Sequence, residues 1–258
     1  SSQWGAVMSP ADRVLALENL DKSFGAVHVT RGVSLAVPDR RCHALIGPNG
    51  AGKTTLIHQI SGVLKPDSGR VLLAGQDITA QPIWRRAAAG LGRTFQLTSI
   101  MPSFSVLENV ALAAQAKDGA SMRFFRTAAR ERALNEAAMA VLSRLGLADR
   151  AAVTAADLSH GERRLLELAI ALVGAPKFLL LDEPMAGLGR MESSMLIDIL
   201  ADVRQTMPML LVEHDMDAIF KLADTVSVLV EGQIVAQGTP AEVRADPVAR
   251  KAYLGDGH

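Results

Sequence analysis

Gly47-Pro48-Asn49-Gly50-Ala51-Gly52-Lys53-Thr54-Thr55 is the stretch whose reading decides the rest of the chain. It fits a phosphate loop: glycine, four residues, Gly-Lys, then a hydroxyl side chain. The flanks agree with that reading. Cys42-His-Ala-Leu-Ile46 is a short apolar run suited to a buried strand, and Thr55-Leu-Ile-His-Gln-Ile60 has helical apolar spacing. Strand, glycine loop and helix in that order are the context the motif requires. Glycines allow backbone N–H groups to converge on an anion with no Cβ in the way. The start of the following helix adds roughly half a positive charge aimed at the same place. Lys53 is placed to reach the β- and γ-phosphates and the Thr54 hydroxyl to hold Mg²⁺. A chance glycine-rich turn is the alternative, and both flanks argue against it. The expected ligand is a nucleoside triphosphate.

A chain of 258 residues fits one large α/β domain or two small ones. Lys plus Arg number 27 and Asp plus Glu number 27, so no global charge steers the protein to nucleic acid. The positive mean hydropathy raises the question of a membrane span. The most apolar region, Leu165 to Leu181, is broken by Glu167, Gly174, Pro176 and Lys177, whereas a span needs about 18 uninterrupted apolar residues. No basic start precedes an apolar cleavable stretch, and Cys42 is the single cysteine, read as a small buried apolar residue. A soluble cytoplasmic protein is expected, with residues 1–7 dispensable.

Strand texture is expected at Val14–Leu17, Gly32–Val37, Gly69–Ala74, Lys177–Asp182, Met209–Glu213 and Val226–Val230. The last three of these, short continuous apolar runs, suit a parallel sheet covered on both faces. From about Leu107 to Leu147 the texture becomes alanine-rich and helical, with Leu134, Ala138, Val141 and Leu145 on one apolar face. The coarse picture is an α/β core interrupted by a helical insertion. Arg123, Arg126, Arg130 and Arg132 surround Phe124-Phe125 there. They read as a solvated helix face, with a partner-binding or membrane-surface patch as the alternative.

Two further stretches point to the same ligand. Phe178-Leu-Leu-Leu-Asp182-Glu183 is an apolar strand ending in two acids. In open α/β sheets the last residues of a strand reach the carboxyl edge, where ligands bind. Asp182 is placed to hold Mg²⁺, and Glu183 to orient and deprotonate the attacking water. Phosphoryl transfer asks for positioning and charge compensation rather than covalent help. His214 follows the strand Met209–Glu213 and reaches the same edge. A lone histidine is more often structural, but its position just past a core strand favours a functional role: hydrogen bonding to the γ-phosphate and to Glu183. His28, His43, His58 and His258 have no comparable setting.

With Leu158-Ser-His-Gly-Glu162 included, the chain resembles the nucleotide-binding subunits of ABC transporters, whose signature is usually Leu-Ser-Gly-Gly-Gln. The order matches as well: phosphate loop, Gln96, signature, Asp182-Glu183, His214. The likeness runs from about Leu15 to Leu254. It implies an α/β P-loop NTPase (RecA-like) core, an N-terminal antiparallel β subdomain and an inserted helical subdomain at about 97–165. Together these would make a nucleotide-binding domain over 12–244, followed by a tail at 245–258. It implies that Phe24 stacks on adenine and that Gln96 contacts Mg²⁺ and the attacking water. Ser159 and Gly161 would contact the γ-phosphate of ATP held on a second ATP-binding subunit, identical or different. Two such subunits would sandwich two ATP molecules and drive transmembrane permease subunits from the inner face of the membrane. A periplasmic solute-binding protein would take part indirectly.

His160 and Glu162 depart from the signature, and Gly189 stands where the family usually has Asp or Asn. The last departure puts cross-subunit coupling in doubt. Gly92-Arg-Thr-Phe-Gln96, Leu107-Glu-Asn-Val110, Gly161-Glu-Arg-Arg-Leu-Leu-Glu167 and Ala252-Tyr-Leu-Gly255 look like ATPases of branched-chain amino acid importers. The long helical stretch looks like the larger of their paired ATPases. Tyr253-Leu-Gly255 and Gly161-Glu-Arg-Arg164 are also similar to the lipopolysaccharide-export ATPase. The rival readings are a soluble ABC-type ATPase acting on DNA or ribosomes, and a regulator that has lost hydrolysis. Long coiled-coil insertions and a second phosphate loop are missing for the first, and Glu183 with His214 argues against the second.

Overall fold

The protein is described by a computed structural model covering residues 13–94, 100–117 and 128–254. Two sheets form its centre. Strands β1 (Arg13–Phe24), β2 (Val27–Pro38), β4 (Ser68–Leu73) and β5 (Gln76–Asp77) make an antiparallel sheet in the order β2-β1-β4-β5. The second sheet is built from β3 (Cys42–Ile46), β6 (Leu91–Thr94), β7 (Phe178–Asp182), β8 (Met209–Val212), β9 (Thr225–Val230) and β10 (Gln233–Gly238). Its order is β10-β9-β3-β8-β7-β6; every pairing is parallel except that of β10 with β9.

Helices α1 (Lys53–Ser61), α2 (Ile83–Ala89), α3 (Val106–Lys117), α4 (Ala128–Arg144) and α5 (His160–Val173) come first in the chain. Then follow α6 (Arg190–Val203), α7 (Met216–Leu222), α8 (Pro240–Ala245) and α9 (Pro247–Leu254). The period-two geometry of a strand explains how they share the central sheet. Phe178, Leu180, Leu210 and Val212 face the antiparallel sheet and the Leu56, Ile57 and Ile60 stripe of α1. Their neighbours Leu179, Leu181, Met209 and Leu211 face the opposite layer, where α5 and α6 pack with α3 and α4. A smaller cluster joins Ala44, Ile46 and Val226 to Ile219, Val243 and Ala249, so the stretch after residue 245 contributes a helix with a buried residue.

The expected strands are all present: β3 has the expected bounds, the others have one or both ends shifted by a residue or more, and β1 and β2 are much longer than their apolar cores. The helical stretch is two helices among the described residues. In α4, Leu134, Ala138 and Leu142 are buried, as is Leu145 just past its end, while Val141 packs only partly against the same cluster. Cys42 is fully buried, and desolvation pushes its thiol up to about 12. The aromatic pair Phe124-Phe125, with Arg123 and Arg126, lies outside the described residues. Arg132 is exposed and 3.9 Å from Glu136 on the same helix.

Candidate active site

The parallel register brings three strand ends to one edge. Asp182 pairs with Val212 and Leu45 with Val212, so the exits of β3, β8 and β7 lie side by side. After β3 the chain turns through Gly47, Gly50 and Gly52, all with positive φ. Two of these positions admit no side chain: a Cβ on Gly47 would sit 2.1 Å from the Leu229 carbonyl oxygen, and one on Gly52 2.6 Å from that of Val29. The loop is thereby pressed against β9 and β2, and Gly52 (φ 103°) opens α1 without a side-chain cap. Its leading N–H groups have no capping side chain, which is how a helix start serves an anion. Pro48, Asn49, Gly50 and Ala51 complete the turn, Ala51 N–H donating to Pro48 O at 3.2 Å. Thr54 is exposed and Thr55 half-buried on the first turn of α1.

Lys53 Nζ donates to Gly47 O (2.6 Å) and Pro48 O (3.0 Å), curling over the loop it follows. Burial lowers its pKa from the ordinary lysine value, against the opposing pull of Glu183 and then Asp182. The lysine and the twin acids therefore share one electrostatic environment.

Asp182 is 5% exposed, and its Oδ2 has no hydrogen-bond partner among the described residues. Desolvation raises its pKa; Arg93 opposes this, Glu183 adds to it, and His58 and Lys53 oppose it. A buried carboxylate oxygen with nothing bound to it is a poor structural device and a good ligand for a cation. Glu183, one residue on, is exposed and left-handed (φ 48°), a strained conformation for a side-chain-bearing residue. Its N–H donates to Val212 O at 2.9 Å, and its carbonyl accepts from Ala186 N–H at 3.1 Å. That turn lifts its carboxylate out of the strand into solvent beside the buried Asp182.

His214 leaves β8 with its ring largely exposed, Nδ1 lying 3.9 Å from Glu213 Oε2. Phe24 ends β1 half-exposed, with Lys22 Nζ 5.6 Å from its ring centre. Gln96 falls outside the described residues.

Ser159 and Gly161 sit elsewhere, at the start of α5. Ser159 is the N-cap: its Oγ accepts from Glu162 N–H (3.2 Å) and its N–H donates to Glu162 Oε2 (2.8 Å). This reciprocal pair satisfies two otherwise unpaired helix donors. Arg150 Nε lies 2.8 Å from Glu162 Oε1. Gly161 lies against Glu192 of α6: a Cβ there would come 2.8 Å from Glu192 Oε1, the mobile end of that side chain. Glu192 in turn accepts from Gly189 N–H at 3.1 Å, and His160 Nε2 stands 3.0 Å from where a Gly187 Cβ would be. The two departures from the signature and the one at Gly189 thus all have local contacts. Glu162 completes a cap, His160 packs on the turn beyond Glu183, and Gly189 is capped by Glu192 rather than by a side chain of its own.

Three participants were not picked out from the sequence as site residues. Arg93, on β6, donates to Ser61 Oγ at 2.9 Å and is the strongest charge opposing the rise at Asp182. His58, read as bland, is among the charges acting on that acid. Glu213 is buried next to His214. Its position just before the histidine was the only signal, and apolar texture alone ranks it as a strand end.

A model of the ABC transporter family matches residues 30–186, and one of the branched-chain amino acid ATP-binding cassette transporter matches residues 233–258. This chain belongs to the ABC transporter ATP-binding family. It is 37% identical over 250 residues to the high-affinity branched-chain amino acid transport ATP-binding protein LivG of Salmonella typhimurium, covering 94% of this chain and 98% of that one. It is 33% identical over 244 residues to the lipopolysaccharide export system ATP-binding protein LptB of Haemophilus influenzae, covering 94% and 98%. The crystal structure of the ADP conformation of MJ1267, an ATP-binding cassette of an ABC transporter, superposes with a TM-score of 0.83 at 30% identity, covering 95% and 99%. The P-loop NTPase fold and an ATPase activity that powers transport follow from this membership.

Proposed function

We propose that this chain binds ATP at the carboxyl edge of the central sheet and hydrolyses it to drive an importer of branched-chain amino acids or related small solutes. The observation that carries the site is the convergence of the glycine loop, Lys53, the unpartnered Asp182 oxygen, Glu183 and His214 on neighbouring strand exits. The backbone of Gly47–Thr55 and Lys53 cradle the phosphates, and Phe24 offers the adenine a ring face, a contact of about 1 kcal/mol. Thr54, Asp182 and Gln96 are the residues that would hold Mg²⁺; a hydroxyl and one carboxylate suit an ion that keeps much of its water. When bound, that ion would neutralise charge developing on the phosphates.

Glu183 accepts the proton of the water attacking the γ-phosphorus, and His214 holds the γ-phosphate and Glu183 in line. Ser159 and Gly161, on the front of α5, complete the corresponding site of a second ATP-binding subunit. On that scheme residues 12–244 form the nucleotide-binding domain, with the helical subdomain at about 97–165 facing permease subunits at the inner membrane face and a tail at 245–258. No described helix is long and apolar enough to cross the membrane, so the permease supplies the spanning part. A solute-binding protein would hand over the solute. Balanced charge gives no pull toward nucleic acid.

The test is Glu183→Gln. Hydrolysis should fall about 1,000-fold, within the range for a lost general base, with MgATP binding retained. Wild-type turnover in that variant would move the base elsewhere. Reconstitution with the cognate permease and measurement of ATP-dependent leucine uptake tests the solute class. Lipopolysaccharide extraction without leucine uptake would favour the export reading that the LptB likeness supports.

A further inference from the structure

Glu213 has a side chain with 0% exposure, one position before His214. Its Oε1 accepts from Met185 N–H (2.8 Å), two residues beyond Glu183. Its Oε2 accepts from the N–H groups of His214 (2.9 Å) and Asp215 (3.3 Å). One carboxylate therefore grips the turn that carries Glu183 with one oxygen and the turn that carries His214 with the other. A carboxylate can serve all three donors because it only accepts; an amide of the same shape cannot. Burying an acid is costly, and nothing in the packing of β8 demands one there.

We propose that Glu213 is a positioning residue for ATP hydrolysis, setting the spacing between Glu183 and His214 without touching the nucleotide. This rests on the roles assigned above to those two residues. The strands already couple the turns through Glu183 N–H and Val212 O, but that bond fixes only where the turns begin. Glu213 fixes them further out, at Met185 two residues past Glu183 and at His214 and Asp215 two and three residues past Val212.

In Glu213→Gln one oxygen is replaced by a donor facing donors, so one of the two grips must open. Turnover should fall roughly 10- to 100-fold, the scale of a reacting group misplaced by about 1 Å. MgATP affinity should stay within about threefold, because the loss is confined to the transition state. Part of what Glu213 does goes with the His214 ring, while its hold on the Glu183 turn remains to be lost. The double variant Glu213→Gln/His214→Ala should therefore turn over more slowly than His214→Ala alone, but by a smaller factor than Glu213→Gln costs the native chain. Wild-type turnover in Glu213→Gln, parallel loss of binding and turnover, or additivity in the double variant would each overturn the proposal. Should Glu213→Gln not fold, Glu213→Asp keeps both acceptor oxygens but cannot span to Met185, and it is held to the same two readouts. Wild-type turnover in His214→Ala overturns the site reading and this inference together; loss there beside wild-type turnover in Glu213→Gln overturns this inference alone.

Discussion

Two regions of this protein are proposed above to face phosphate, and they are built differently. At the strand edge the polar groups are fixed by backbone and burial. The Gly47 and Gly52 turns fit only without side chains, Asp182 is nearly inaccessible, and Glu213 is locked by three N–H groups. At the front of α5 the residues are exposed or half-exposed, and the order comes from side chains: the Ser159–Glu162 cap, Arg150 on Glu162, and His160 on the Gly187 turn. Burial makes charge expensive and therefore directional; exposure makes it cheap and adjustable. A site that must align a water, a base and a phosphorus belongs to the first kind. A surface proposed to meet and leave a second subunit belongs to the second.

Lys53→Ala probes the strand edge most severely. It removes the ammonium that the Gly47 and Pro48 carbonyls hold over the loop, and hydrogen bonds to charged groups are worth about 1.5–3 kcal/mol each. ATP affinity should weaken roughly 100-fold or more on titration with a fluorescent nucleotide. Retained micromolar binding would break the phosphate-loop assignment and with it the contrast between the two regions.

Asp182→Asn separates function from stability in the same region. Burial dominates the upward shift of this carboxyl, so its ionised form costs the folded state free energy. The sign follows: a raised acid pKa means that stability is lost as pH rises through the unfolded value. The neutral amide should escape that loss. The nucleotide-free variant should melt about 2–4 °C higher at neutral pH, the shift that about 1 kcal/mol produces in a chain of this size. Hydrolysis in the presence of Mg²⁺ should nevertheless drop roughly 100-fold, the scale of metal-assisted charge stabilisation. A lower melting temperature would show that Arg93 depends on this charge more than burial opposes it.

How far the sequence discloses these features depends on how local their cause is. The glycine loop, the apolar runs of β3, β7 and β8, and the acid pair are contiguous, so their roles in the fold are readable directly. The β9–β10 hairpin is not announced by apolar alternation, because β10 reads Gln-Ile-Val-Ala-Gln-Gly. Its signal is the two-residue turn Glu231-Gly232, both with positive φ, the geometry that matches strand twist. Ala74-Gly75 joins β4 to β5 in the same way. The four-residue β6 is hidden for another reason. Gly92 is there because Pro176 and Leu179 approach within about 3 Å of where its Cβ would lie, a contact made across 80 and more residues. Glu213 and Arg93 escaped for the same reason: their partners, Met185 and Asp182, are brought to them only by the parallel register. Chemistry carried by a run of neighbours is legible, and chemistry carried by a pairing waits for the fold.

Glu162→Gln is the mildest probe and bears on the helix front alone. Glu162 is held below the ordinary glutamate value first by the Ser159 N–H, despite partial burial, and further by Arg150. A depressed acid contributes stability that is present above its unfolded value of 4.5 and lost as pH falls through the folded one. Glutamine can still accept from Ser159 N–H, so the cap survives, while the Arg150 pair becomes neutral. At pH 7 and moderate salt the cost should be about 0.5 kcal/mol or less, as for other partly exposed pairs. The difference from the native chain should shrink as pH drops below about 4.5, where the unfolded carboxyl begins to take up its proton, and vanish below the lower folded value. Thermal melts across pH 3 to 7 measure this. A gap that stays constant over that range would mean that the end of α5 is held by packing, as the strand edge is, and the two regions would no longer differ in kind.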